Sequence, residues 1–162
     1  MITTAILTIS DKGSKGERVD GTGPAIKNEL EGKGYSIEYY KIIPDDIEQI
    51  TGELKFICDE LKINLVLTNG GTGFSERDVT PEATGRVIEK YVPGIGEVMR
   101  MKSLSITPKA MLSRGIAGIR GKTLIVNLPG SPKAAVENLQ VIMPALTHGI
   151  EILTGAGGEC AR

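Results

Sequence analysis

The chain has 162 residues and a net charge of −1, from 19 basic and 20 acidic side chains. That length suits one domain with a sizeable core, and the balanced charge argues against nucleic acid or an anionic membrane surface as a partner. Aromatic residues make up 4% and tryptophan is absent, which excludes a base-stacking platform.

Residues 2–9 are a continuous apolar and β-branched run, the pattern of a strand buried on both faces. The chain opens directly on this run, with no basic segment leading into an apolar one, so no signal peptide is expected. No segment approaches the length of a membrane span, and a cytoplasmic location is expected. A polar loop over residues 10–23 leads to a helix expected from Pro24, with Ala25, Ile26 and Leu30 on one face and Gly32 and Gly34 as its stop. Residues 35–43 read as a second strand. Asp45 or Asp46 caps the next helix, whose apolar residues Ile47, Ile50, Leu54, Ile57 and Leu61 recur at helical spacing. Residues 63–68 are a third apolar strand.

A helix is expected over residues 81–90, ending near Val92-Pro93-Gly94, and another over residues 94–105. Residues 111–119 suggest a short extra strand, and residues 122–128 a clear one. Ser131 caps a final helix with Val136, Leu139, Met143, Leu146, Ile150 and Leu153 as its apolar stripe, running through Pro144. Cys58 lies in a helical pattern and Cys160 in a glycine-rich tail, so neither a disulfide framework nor a zinc site is indicated. The whole reads as one α/β domain over residues 1–155, a mostly parallel sheet with helices on both faces, followed by a flexible tail over residues 156–162.

The densest signal lies in Asn69-Gly70-Gly71-Thr72-Gly73 and the following Arg77-Asp78-Val79-Thr80-Pro81-Glu82. Three glycines in four residues let the backbone approach a ligand and present bare N–H groups to it. Thr80 is expected to cap the helix that follows, with Pro81 in its first turn and Glu82 at the positive end of its dipole, so the loop makes an anion site. Asp78 has no evident structural duty and reads as a carboxylate facing magnesium or a transition state. Ser10-Asp11, which alone is an ordinary turn cap, becomes a hydroxyl and carboxylate pair beside that site. Of Asp45 and Asp46, one is needed as a cap and the other is left for function. Lys133 opposes the helix dipole in the first turn after Gly130-Ser131-Pro132 and therefore reads as an anion contact. In a parallel sheet these loops, together with the one at Asp45, gather outside the carboxyl ends of the strands. His148 is a lone helix histidine. Gly121-Lys122-Thr123 is not a Walker-type loop, since Ile116 replaces its first glycine and the glycine precedes a strand.

Gly70-Gly71-Thr72-Gly73 through Ala83, followed by Leu128-Pro129-Gly130-Ser131-Pro132-Lys133, resembles the Mog family of molybdopterin adenylyltransferases, related to the G domains of gephyrin and of plant molybdenum-cofactor enzymes. The similarity extends from Ser10-Asp11 through Ile43-Pro44-Asp45 to the last helix. Asn69 departs from the threonine common in the family, while remaining small and polar. The resemblance implies a molybdopterin-binding three-layer fold, a homotrimer, and transfer of AMP from magnesium-ATP to the terminal phosphate of molybdopterin with release of pyrophosphate. It also implies a downstream molybdenum-inserting enzyme as a possible partner. Asp45 and Asp78 would then hold Mg2+ and carry catalysis. Ser10, Asp11, Gly70 to Gly73 and Gly130 to Lys133 would bind molybdopterin and nucleotide. The alternative is a non-catalytic molybdopterin carrier or scaffold of the same fold, which would need neither Asp45 nor Arg77-Asp78.

Overall fold

A computed structural model describes residues 1–157; Cys160 and the expected tail from residue 158 onward lie outside the described residues. Six strands, β1 Ile2–Ile9, β2 Tyr35–Ile43, β3 Leu65–Asn69, β4 Lys90–Tyr91, β5 Ala117–Arg120 and β6 Thr123–Leu128, form one sheet in the order β2-β1-β3-β6-β5-β4. β2, β1, β3 and β6 are parallel, and β5 and β4 extend the β6 edge with antiparallel pairings. The helices are α1 Asp11–Ser14, α2 Thr22–Leu30, α3 Ile47–Lys55, α4 Thr80–Val87, α5 Pro93–Leu104 and α6 Pro132–Thr154.

The apolar strands alternate their side chains between two cores. Ile6, Leu67, Val126 and Leu128 pack with Ile26 and Leu30 of α2, Met99 of α5 and Leu139, Ile142 and Leu146 of α6. Leu7, Val66 and Ile125 pack on the other face with Ile50 and Leu54 of α3 and Ala83 and Val87 of α4. This is the expected three-layer α/β arrangement. Cys58 belongs to the second core, where burial pushes its thiol up to about 11.

Several element boundaries differ from expectation, each for a local reason. α2 begins at Thr22 rather than Pro24, because the Asp20 carboxylate accepts from the N–H groups of Thr22 and Gly23. α3 runs into a π-helical turn over Phe56–Glu60, whose extra residue rotates the apolar stripe; Ile57 stays buried and Leu61 emerges 40% exposed. α4 stops at Val87 because the next residues join the sheet, with Glu89 N donating to Ile119 O at 2.8 Å and Val92 N to Ala117 O at 2.9 Å. Of the strand expected at residues 111–119, the first two residues end a 3-10 turn over Pro108–Leu112, and regular strand begins only with β5 at Ala117.

α6 does run through Pro144, which lies on its exposed side, where water can satisfy the carbonyl that proline leaves free. Its buried face is Ala135, Asn138, Leu139, Ile142, Leu146 and Ile150, with Val136 and Met143 half-buried at the margin. A stripe read from large apolar residues alone misses the small and amide side chains at its centre.

Asp46 is the cap of α3, accepting from Gln49 N at 2.9 Å. Asp46→Ala is expected to lower stability by ~1 kcal/mol, seen as a reduced urea midpoint without a change in slope.

Candidate functional site

The four parallel strands end at one edge, where their following turns touch. Ser10 N donates to Ile43 O at 2.8 Å, Gly70 N to Leu128 O at 3.2 Å, and the Thr22 hydroxyl to Gly130 O at 2.6 Å. Glycine is required at the crossing. Gly70 has φ +95° and a Cβ there would lie 2.4 Å from Ile9 O; Gly71 has φ +67° and a Cβ there would lie 2.3 Å from Thr80 Oγ1. A Cβ on Gly130 would come within 3.3 Å of Gly70 Cα.

Thr80 is not the cap that its sequence context suggests. It is the first helical residue, and its hydroxyl donates to Gly70 O at 2.9 Å. That bond ties the start of α4 to the glycine turn and satisfies a buried carbonyl. Ser131 does cap α6, with its Oγ accepting from Ala134 N at 3.3 Å.

Asp11 and Asp45 grip each other's main chain. Asp11 N donates to Asp45 Oδ2 at 2.9 Å, and Asp45 N donates to Asp11 Oδ1 at 3.0 Å. Arg77 reaches across the edge and donates from Nε and Nη2 to the two Asp11 oxygens, both at 2.9 Å. This bidentate hydrogen bonding holds the Asp11 carboxyl below its usual range. Asp45 is shifted the other way. Burial raises it first, and the neighbouring charges of Asp11 and Asp78 add to the rise. Asp78 does have a structural duty: its Oδ2 accepts from Ser75 N at 3.1 Å and closes the turn.

A metal at this edge would find hard oxygen donors. Asp11 is engaged by Arg77, whereas the Asp45 and Asp78 carboxylates accept from main-chain N–H groups, those of Asp11 and Ser75. Among the described residues no group of three or more His, Cys, Asp or Glu side chains could hold a metal ion by itself. Any divalent cation at this edge would need phosphate oxygens or water to complete its coordination.

Ser10, Gly70, Gly130, Ser131 and Pro132 line one cleft of about 520 Å³. Gly71, Thr72, Gly73, Asp11, Asp45 and Asp78 continue from it along the strand ends, through the covalent links at Ser10-Asp11 and Gly70-Gly71. Lys133 stands apart, with its side chain 85% exposed and its Nζ 4.0 Å from Glu137.

The cleft also holds Asn69, which opens the glycine motif, and three residues not anticipated from the sequence: Thr8, Arg18 and Asp20. Asn69 Nδ2 donates to Thr8 Oγ1 at 2.9 Å, and that hydroxyl donates to Asp20 Oδ2 at 2.7 Å. Burial opposes ionisation of Asp20, but hydrogen bonds from Tyr40, Thr8, Gly23 and Thr22 outweigh it and hold the carboxyl below its usual range. The signal was available: an aspartate two to three residues before a helix start is a capping pattern.

Arg114 was not anticipated either. Its main-chain N–H donates to Thr72 O at 2.9 Å, its Nε to Gly73 O at 2.7 Å and its Nη2 to Asp78 O at 2.8 Å. Its Nη1 pairs with Glu82 in the first turn of α4. Gly121-Lys122-Thr123 sits at the amino end of β6 in the β5–β6 hairpin, away from this edge. His148 is exposed on α6.

A parallel sheet that ends on crossing glycine turns, beside carboxylates and a polar cleft, is the edge of an α/β ligand-binding domain. The family described as "probable molybdopterin binding domain" matches residues 5–148, and the chain belongs to it. The chain is 44% identical over 158 residues to a molybdopterin adenylyltransferase of Helicobacter pylori, covering 95% of this chain and 89% of that one. The solved structure of the molybdopterin biosynthesis enzyme MoaB from Thermus thermophilus superposes with a TM-score of 0.92 at 48% identity, covering 96% of this chain and 98% of that one. The molybdopterin biosynthesis Mog protein from Mycobacterium ulcerans gives 0.88 at 34% identity, over 94% and 99% of the two chains.

Because Asp45 is raised, its charged form is disfavoured in the folded state, and the stability gained from its protonation is lost as pH rises through its folded pKa. Asp45→Asn should therefore raise Tm at neutral pH, by about 1–3 °C for a domain of this size. The gain should shrink as the solution is acidified into the range where Asp45 takes up its own proton. A lowered Tm at neutral pH would show that the carboxylate is structurally needed.

Proposed function

We propose that the chain is a molybdopterin adenylyltransferase, which transfers AMP from magnesium-ATP to the terminal phosphate of molybdopterin and releases pyrophosphate. The observation that carries this reading is that the Asp45 and Asp78 carboxylates both lie against the glycine turn, 3.1 Å from a Cβ built on Gly71 and 2.9 Å from one built on Gly73, in a chain 44% identical to a relative named for that activity. A carrier needs a cleft, but not a second carboxylate whose charge opposes ionisation of Asp45.

Transfer between two phosphates requires charge neutralisation and alignment more than a covalent intermediate. N–H groups of the glycine turn bind phosphate oxygens, and the Ser10 and Ser131 side of the cleft orients the remainder of the ligand. Arg77 keeps Asp11 ionised and engaged, so Asp11 buttresses Asp45 instead of competing for metal. Magnesium, held by Asp45 and Asp78, supplies charge neutralisation at the reacting phosphates when bound. Lys133, exposed beside the Ser131 turn, adds a mobile positive charge at the rim.

No helix of the described residues is long and apolar enough to cross a membrane. A cytoplasmic location belongs to the same proposal, since the reaction consumes ATP. Val98, Met101, Leu104, Ile106, Met111 and Leu112 are each at least 40% exposed along α5 and the turn after it. Such a surface suits a subunit contact, and we assign the homotrimer to it. A molybdenum-inserting enzyme would take up the adenylylated product.

Asp78→Asn preserves shape and removes charge. At least a ~10²-fold fall in adenylylated molybdopterin formed from labelled ATP is expected, with molybdopterin binding retained; near-normal turnover would remove the assignment. Light scattering at micromolar concentration should give a mass three times the 17.2 kDa of one chain. A single-chain mass that persists as concentration rises would mean the apolar surface has no partner copy.

A further inference from the structure

We infer that Arg114 is a positioning residue for the Asp78 carboxylate; this rests on the adenylyltransferase reading for its kinetic consequence and on geometry alone for its structural one. The segment from Gly73 to Asp78 is a solvent-facing turn in which Phe74, Ser75, Glu76 and Arg77 are all exposed. Two hydrogen bonds close it across Ser75 and Asp78: Asp78 N to Ser75 O at 2.9 Å and Ser75 N to Asp78 Oδ2 at 3.1 Å. Both are made by Asp78 itself, and the second uses the carboxylate that must be free to face a ligand. Something else has to hold the turn while that oxygen is engaged elsewhere.

Arg114 meets that requirement. One guanidinium donates to the carbonyls at both ends of the turn, Gly73 at 2.7 Å and Asp78 at 2.8 Å, while its own N–H holds Thr72. The third corner of the fork is fixed by Glu82 on α4, so the clamp is referenced to a helix and not to another loop. The guanidinium is half-buried, with 32% of the side chain exposed, and its positive charge strengthens its hydrogen bonds to both carbonyls. A planar fork can span two carbonyls and a carboxylate at once, and an ammonium group cannot. Fixing the Asp78 carbonyl restricts ψ at the residue that bears the carboxylate. Arg114 contacts main-chain carbonyls of the loop and not the Asp78 carboxylate, so its effect on chemistry runs through the placement of Asp78.

The test is Arg114→Lys, which keeps the charge and removes the fork. Expected results are a kcat lower by on the order of 10- to 100-fold, a KM for ATP changed less than kcat, and faster amide hydrogen exchange confined to residues 73–78 in the ligand-free protein. Guanidinium ion added to Arg114→Ala should restore part of the lost kcat, and an equal concentration of sodium should not. Unchanged kcat and unchanged exchange in a folded Arg114→Lys protein would overturn the inference, as would a kcat loss with no change in exchange. If Arg114→Lys does not fold, Glu82→Met decides: it removes the acceptor at one corner of the fork and should lower kcat severalfold with the same local exchange signature, and normal kcat would overturn the inference. Failure of the wild-type protein to adenylylate molybdopterin would instead overturn the functional reading, leaving the exchange measurement to judge Arg114.

Discussion

Three main-chain turns have to cross where β1, β3 and β6 end, and they can cross only because the residues at the contact lack side chains. Gly70 lies against Ile9 at a separation that a methyl group on Gly70 would abolish, and a methyl group on Gly130 would press against Gly70. From that close approach follow the hydrogen bond joining Gly70 to Leu128, the seating of Thr80 on the Gly70 carbonyl, and the direction in which the glycine turn leaves the sheet. The carboxylates are positioned by the same crossing, since Asp11 follows the end of β1 and Asp45 the end of β2.

A second constraint is electrostatic. The strands are apolar through their middles and polar at their carboxyl ends, where Thr8, Thr68, Asn69 and Asn127 are buried and hydrogen-bonded to one another or to neighbouring elements. These residues carry no net charge and hold the edge rigid. Asp11 and Asp20 are held ionised by their donors, whereas Asp45 is destabilised as an anion. The edge therefore keeps Asp11 and Asp20 satisfied and leaves Asp45 disfavoured as an anion, by burial first and by neighbouring carboxylates second, the pattern of a binding site maintained at some expense of stability.

β1, β3 and β6 and the loops that follow them are legible in the sequence because strands covered on both faces read as unbroken apolar runs between turns, while the edge strand β2 shows itself by alternation instead. β4 is not, because two exposed residues have no periodicity and join the sheet only through the positions of Ile119 and Ala117. Thr80 illustrates the limit of local rules: its context is that of a cap, but a buried carbonyl on Gly70 needed a donor and took its hydroxyl. Asp46 obeyed the local rule because nothing distant competed for it. Asp20 could have been found from its spacing to α2. Arg114 could not, since it lies 36 residues from Asp78 and its role exists only in three dimensions.

The hydrogen bond from Thr22 to Gly130 spans 108 residues of chain. The cleft it helps close is thus absent from any partly folded form that lacks either the first or the last third of the protein. Parallel pairing across such separations is slow to form, and the binding edge is completed with the final turn. A ligand bound there stabilises the whole domain by mass action. It slows unfolding and leaves the rate of folding unchanged, because it has nothing to hold until folding is done.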